Sequence, residues 1–202
     1  MSPALSLLQM RPGYVVTPLI MYTNLAVFMW LIMASGQVMW FPAQLLAEMG
    51  ANFGPWTTDG QWWRLWSSLF LHGGLLHLLF NLLVLANIGI LLEPWLGHVR
   101  FTLLYVLAGG IASFTSLSMN INVVSVGASG AVFGLYGFFL ALLLFNRLGP
   151  AARQRYLGGT AVFIGINLVL GFTVPVVDNA AHLGGLMAGF VFGLWPTSPR
   201  RR

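Results

Sequence analysis

The chain predicts an all-α membrane protein, a bundle of six transmembrane helices with a first loop lying in the membrane interface, and three observations lead there. First, 58% of its 202 residues are hydrophobic and only 6% are charged. A soluble domain carries about 25% charged residues, so this chain has too few to coat a globule in water. Second, the charges punctuate long apolar windows: residues 12–47, 65–92, 101–146, 156–177 and 179–199 contain none. A spanning helix needs about 20 predominantly apolar residues, and the 101–146 window holds two. Third, the ten prolines fall at the proposed helix ends or in loops, with Pro18, Pro94, Pro175 and Pro196 at boundaries. A missing N–H does little harm there.

Taken in order, the helices are expected at residues 17–36, 74–93, 100–119, 128–146, 156–174 and 180–196. With a cytoplasmic N-terminus, the inner segments hold Arg11, Arg100, Arg147, Arg153, Arg155, Arg200, Arg201 and Arg202, and the outer ones only Arg64. That bias is a positive-inside pattern with both termini in the cytoplasm. The first outer loop, residues 37–73, carries Trp40, Trp56, Trp62, Trp63 and Trp66. Trp prefers the headgroup level, so this loop is expected along the interface, partly as short amphipathic helices. The second outer loop, NINVVSV at 120–126, is apolar enough to dip below the surface if protein or a water cavity shelters its backbone.

Composition excludes several function classes. There is no cysteine, which removes disulfides, thiol catalysis and Cys-based metal sites. The net charge of +5 comes from scattered arginines rather than a patch, so no nucleic-acid partner is expected, and the sequence suggests no cofactor and no metal. The N-terminus has neither the charge pattern nor the cleavage site of a targeting segment. The expected arrangement is a cytoplasmic segment at 1–16, one membrane domain at 17–196 and a basic cytoplasmic tail at 197–202. An unaccompanied six-span chain of this kind suits a prokaryotic plasma membrane.

Polar side chains converge at one depth. His77 and Asn81, spaced i, i+4 on the second helix, share a face. Ser129 opens the fourth helix inside the stretch SVGASGAVFG, and His182 lies in the first turns of the sixth. All four enter from the outer leaflet. Such groups are costly within a bilayer and usually line a functional interior. Gly130, Gly134 and Gly137 on the fourth helix, and Gly185, Gly189 and Gly193 on the sixth, form small-residue ladders. Ladders of this type let backbones approach closely. If the two faces pack together, Ser129 and His182 meet.

A serine hydroxyl becomes a nucleophile when a base removes its proton, and histidine is the usual base near neutrality. No carboxylate is placed to complete a triad: Asp178 falls one turn before His182 and reads best as a helix cap. The Ser129 N–H, His77 and Asn81 are candidate donors to a developing oxyanion. Two other readings use the same residues. One is a six-helix proton or ion transporter. It is disfavoured by the apolar inner halves LLVLANIGILL and FFLALLLF, which leave the polar path open on one side only. The other is a client-binding relative without catalysis.

Trp63-Arg64, HGGLLHLLFN at 72–81, GASG at 127–130 and AHLGG at 181–185 occur in that order on the six-helix frame. With these motifs the chain resembles the rhomboid intramembrane serine proteases from about residue 17 to 196. The resemblance implies a six-helix bundle of the rhomboid type with Ser129 as nucleophile, His182 as general base, and His77 and Asn81 lining the oxyanion hole. It assigns structural roles near the site to Gly127, Gly130 and Arg64, and reads His72 and Glu93 as structural. Where some bacterial members place a tyrosine under the histidine, this chain has Phe133, which keeps the ring for stacking and lacks the hydroxyl. Tyr136 lies one turn deeper. The implied substrates are single-span or multi-span membrane proteins, cut near the outer end of a transmembrane segment that unwinds locally. Rhomboid relatives that bind clients without cleaving them typically lack the serine or the histidine, and both are present here.

Overall fold

The computed structural model describes residues 7–174 and 177–195. The tail at 197–202 and the last predicted helical residue, Pro196, lie outside the described residues, as do Pro175 and Val176 in the loop before the last helix. The described chain is helical throughout: α1 Val16–Ser35, α2 Ala43–Glu48, α3 Gly54–Thr57, α4 Arg64–Ser67, a 3-10 turn at Ser68–Phe70, α5 Leu75–Leu96, α6 His98–Met119, α7 Ser129–Leu144, α8 Pro150–Thr173 and α9 Asn179–Leu194. Helices α1, α5, α6 and α8 are long and apolar enough to cross a membrane, whereas α7 and α9 are apolar but have 16 residues each. At 1.5 Å per residue, 16 residues reach roughly 24 Å, short of the ~30 Å hydrocarbon core.

Two predicted boundaries shift. Helix α8 begins at Pro150 rather than 156, because Gly149 turns the chain at φ 86° and Pro150 then occupies the first helical position, where its fixed φ suits a helix start. Arg153 and Arg155 therefore lie on the helix rather than before it. Pro94 does not end α5. The helix runs two residues past it and stops at Gly97, whose positive φ of 78° breaks the pattern while its N–H bonds the Glu93 carbonyl.

Burial divides the helices into one centre and a surround. Helix α7 buries residues on all sides, Val132, Phe133, Leu135, Phe138 and Leu142 among them, as expected of a helix that is apolar all round. Helix α8 buries only Thr160 and Ile164 and turns Val162, Ile166, Val169 and Phe172 outward. Outward-facing apolar side chains such as Phe80 on α5 and Phe114 on α6 repeat that pattern, which suits lipid as the solvent.

The α7–α9 contact is made by backbone. A Cβ on Gly185 would overlap the Gly130 carbonyl, one on Gly189 the Gly134 carbonyl, and one on Gly137 the Leu186 carbonyl. The two glycine ladders therefore face each other.

At the opposite end from Ser129, Glu93 fixes the start of α1. Its carboxylate, fully buried, accepts the Val15, Val16 and Thr17 N–H groups at 2.7, 2.7 and 2.8 Å, the Thr17 hydroxyl at 2.7 Å, and pairs with His98 Nδ1 at 2.8 Å. The first N–H groups of a helix lack partners within it, and here one side chain satisfies three.

Two outcomes test this packing. Gly189→Val should lower the thermal midpoint in detergent by an amount corresponding to about 2 kcal/mol, since overpacking costs about 1–3 kcal/mol, whereas Gly158→Val, with open space around it, should cost little. Glu93→Ala should destabilise by about 3 kcal/mol, as it orphans four donors, two of them on the buried Thr17, that bond a charged group, and the same thermal scan reads it.

Candidate functional site

Ser129 is the first residue of α7, with Ala128 as its N-cap. Its N–H sits in the first turn, where no earlier carbonyl of the same helix is available, and the positive end of the helix dipole lies there too. The approach to it is shaped by Gly127, at φ 121°, a conformation that side chains rarely adopt. A Cβ at this position would lie 2.8 Å from His77 Nε2 and 3.7 Å from Ser129 Oγ. The imidazole and the hydroxyl thus flank one small space that only a glycine leaves open.

The orientation of His77 follows from its other nitrogen. Nδ1 accepts the Gly73 N–H at 3.2 Å. A neutral imidazole that accepts at Nδ1 carries its proton on Nε2, so the nitrogen facing the gap at Gly127 is a donor. Asn81 is buried one turn further along α5, and its amide donates to the His77 carbonyl at 2.9 Å. That bond uses one of its two N–H groups. His72, just before α5, meets the His77 ring edge-on at 5.2 Å and is fully buried. Burial, and to a lesser extent the neighbouring His77, pushes His72 down to about 3, so it stays neutral and supports His77 by contact.

His182 lies in the first turn of α9, 5% exposed. Its ring stacks on Phe133 with centroids 4.1 Å apart and planes 6° apart. Phe133 is one turn after Ser129 on the same helix, so this contact ties the histidine to the helix that carries the serine. Tyr136 does not share that role: it stacks on Phe163 of α8 at 4.2 Å. Gly130 lies against Ala181, the residue before His182: a Cβ on Gly130 would be 3.6 Å from the Ala181 Cβ.

Arg64 is remote from these groups. Its guanidinium, 4% exposed, donates to the Ala47 and Ala51 carbonyls at 2.6 and 3.0 Å and to Gln61 at 2.8 Å, between the rings of Trp56 and Trp63 at 4.8 and 4.7 Å. It knits the first loop together. That loop in turn pairs with the segment before Ser129: Asn52 and Ser125 exchange backbone bonds at 3.1 and 2.9 Å, and the Gly127 N–H bonds the Ser68 carbonyl at 2.9 Å. Sequence reasoning gave Asp178 only a capping role and gave Ser116 and Ser125 none. The structure joins all three, since both hydroxyls donate to the Asp178 carboxylate. The -D-N-A-A-H- spacing signalled the cap, but nothing local signalled the two serines. Among the described residues, no cluster of three or more His, Cys, Asp or Glu could hold a metal ion.

Comparison with known proteins places these residues in context. Residues 59–198 match the Rhomboid domain, a span that includes the first-loop arginine and the segments bearing His77, Ser129 and His182. RHOMBOID-like protein 1 of Arabidopsis thaliana is 46% identical over 131 residues, 65% of this chain and 33% of that protein. Rhomboid protease GluP of Bacillus subtilis (strain 168) is 40% identical over 148 residues, 73% of this chain and 28% of that protein. YdcA of the same organism is 33% identical over 154 residues, about three quarters of each chain. Against the first relatives matched, the shared region covers less than half of their length. With a matching domain over more than half of its residues and relatives of this identity, the chain belongs to the rhomboid family and is a multi-pass membrane protein.

Proposed function

We propose that this chain is an intramembrane serine endopeptidase that cuts transmembrane segments of single-span or multi-span membrane proteins near the outer leaflet, using Ser129 as nucleophile and His182 as general base. The observation that carries this reading is the approach of the α7 and α9 first turns. Ser129 and His182 open two helices in glycine-mediated contact, with the His182 ring laid on Phe133 one turn from the serine. Family membership, with a named rhomboid protease among the relatives, supports the reaction class.

In this reading, Ser129 Oγ attacks the scissile carbonyl as His182 takes its proton. The developing oxyanion is met by the Ser129 N–H, by His77 Nε2–H and by the free Asn81 N–H, donors already held in place. His182 then gives its proton to the leaving amine, and an acyl-enzyme remains. Water, activated by the same histidine, releases it. No carboxylate is needed to orient His182, because stacking on Phe133 fixes the ring plane.

The same proposal takes residues 17–196 as the protease domain, with six membrane spans formed by α1, α5, α6, α7, α8 and α9 and the first loop in the interface. Exposed Trp40, Trp62, Trp63 and Trp66 support that placement of the loop. The arginine bias supports cytoplasmic termini, and the membrane proposed is a prokaryotic plasma membrane. The short α7 fits a nucleophile held below the outer surface, where its flanking loop is sheltered by the first loop.

Cleavage of a single-span model substrate by purified protein tests the assignment. Ser129→Ala and His182→Ala should each reduce kcat to background, about 10⁴-fold or more, while folding as the wild type does. Equal cleavage by all three would reject it. A fluorophosphonate should label the wild type and not Ser129→Ala. Separately, His77→Ala and Asn81→Ala should each lower kcat about 10²–10³-fold with a smaller change in KM, the cost of one oxyanion donor.

A further inference from the structure

The carboxylate of Asp178 does more than a helix cap requires. Oδ1 accepts the Ala181 N–H at 3.0 Å, and this alone caps α9. Oδ2 is committed elsewhere. It accepts the Ser125 hydroxyl at 2.6 Å and the Ser116 hydroxyl. Ser116 is buried in the last turn of α6, and Ser125 sits four residues before Ser129, in the segment whose backbone pairs with Asn52. One side chain therefore joins three elements: the helix carrying His182, the loop leading into Ser129, and the helix packed behind both.

We propose that Asp178 is a positioning residue for this site, a clasp that sets the loop entering Ser129 in register with the first turn of the helix bearing His182. The inference rests on the Ser129–His182 reading above. The first loop holds one side of the 120–128 segment through Asn52 and Ser68, but those bonds leave α9 unconstrained. The glycine seam brings α7 and α9 together by close backbone packing, and Arg147, just past the end of α7, ties their far ends by donating to the Leu194 and Trp195 carbonyls. At the end bearing Ser129 and His182, Asp178 supplies the directional link, with carboxylate bonds that are stronger than neutral ones. Asp178 does not touch the reacting atoms in this scheme. It acts through the loop and through α9.

The test combines kinetics with amide hydrogen exchange on the full chain in detergent, for Asp178→Ala, Asp178→Asn and the double variant Ser116→Ala/Ser125→Ala. Asp178→Ala should lower kcat about 100-fold with KM held within about twofold, the size expected for a small misplacement of reacting groups. It should also speed exchange across residues 120–128. Asp178→Asn, whose oxygen caps Ala181 and whose amide donates to the two hydroxyl oxygens, should keep about a tenth or more of wild-type kcat. The double variant leaves the cap intact, and should lose about tenfold in kcat with the same faster exchange. Wild-type behaviour of the double variant would overturn the clasp and leave a cap only. So would a kcat loss in Asp178→Ala with exchange at 120–128 unchanged. If the wild type is not labelled at Ser129 by a fluorophosphonate, the nucleophile assignment is what fails. The exchange data then decide the clasp alone, with faster exchange in both variants supporting it and unchanged exchange rejecting it.

Discussion

Backbone contact between α7 and α9 is the constraint on which the rest of this structure depends. In lipid, apolar side chains gain little by leaving their surroundings for another helix, so association rests on close van der Waals packing and hydrogen bonding. Glycines on both helices remove the side chains that would hold the axes apart, and carbonyls of one helix occupy the space where Cβ atoms of the other would stand. Two polar residues, 53 positions apart in the chain, then start neighbouring helices at the same end. Wider spacing would leave Phe133 unable to lie against the His182 ring.

A second device recurs around that seam. Where a helix start or a loop would leave polar backbone unsatisfied in an apolar setting, one long-range side chain collects it. Glu93 does so for the start of α1, Arg64 for the carbonyls of Ala47 and Ala51, and Asp178 for α9 together with two serine hydroxyls. A buried polar group without a partner costs free energy, and a charged residue that bonds several such groups offsets its own desolvation through them. This is one reason a chain with only 6% charged residues can place Arg64 and Glu93 in its interior and leave Asp178 half-buried.

The asymmetry of burial bears on access. Helix α7 is enclosed, whereas α8 is mostly outward-facing and touches its neighbours through few buried residues. The polar groups lie at one end of the enclosed helix and the apolar inner half continues below them. On the proposed reading, a site of that shape opens at one end only, as hydrolysis requires and a continuous ion path does not.

Much was legible in the sequence because hydropathy and residue type are local. The charge-free windows gave the four helices long enough to cross a membrane and the two shorter apolar ones, α7 and α9, the glycine spacing gave the faces that meet, and Ser129, His77, Asn81 and His182 stood out as polar groups in apolar surroundings. Boundaries read from charge and proline alone went astray at both ends of that logic. Arginines are accommodated in the first turns of α8, and Pro94 sits inside α5 until Gly97 turns the chain. What only the tertiary structure decided depends on atoms distant in sequence. The proton on His77 Nε2 follows from a backbone N–H that meets Nδ1, and the second use of Asp178 from hydroxyls 53 and 62 residues away. Periodicity along one helix states which face is small or polar. Only the crossing of helices states which atoms on another segment that face will meet, because hydrogen bonds are set by distance and direction in space rather than by order along the chain.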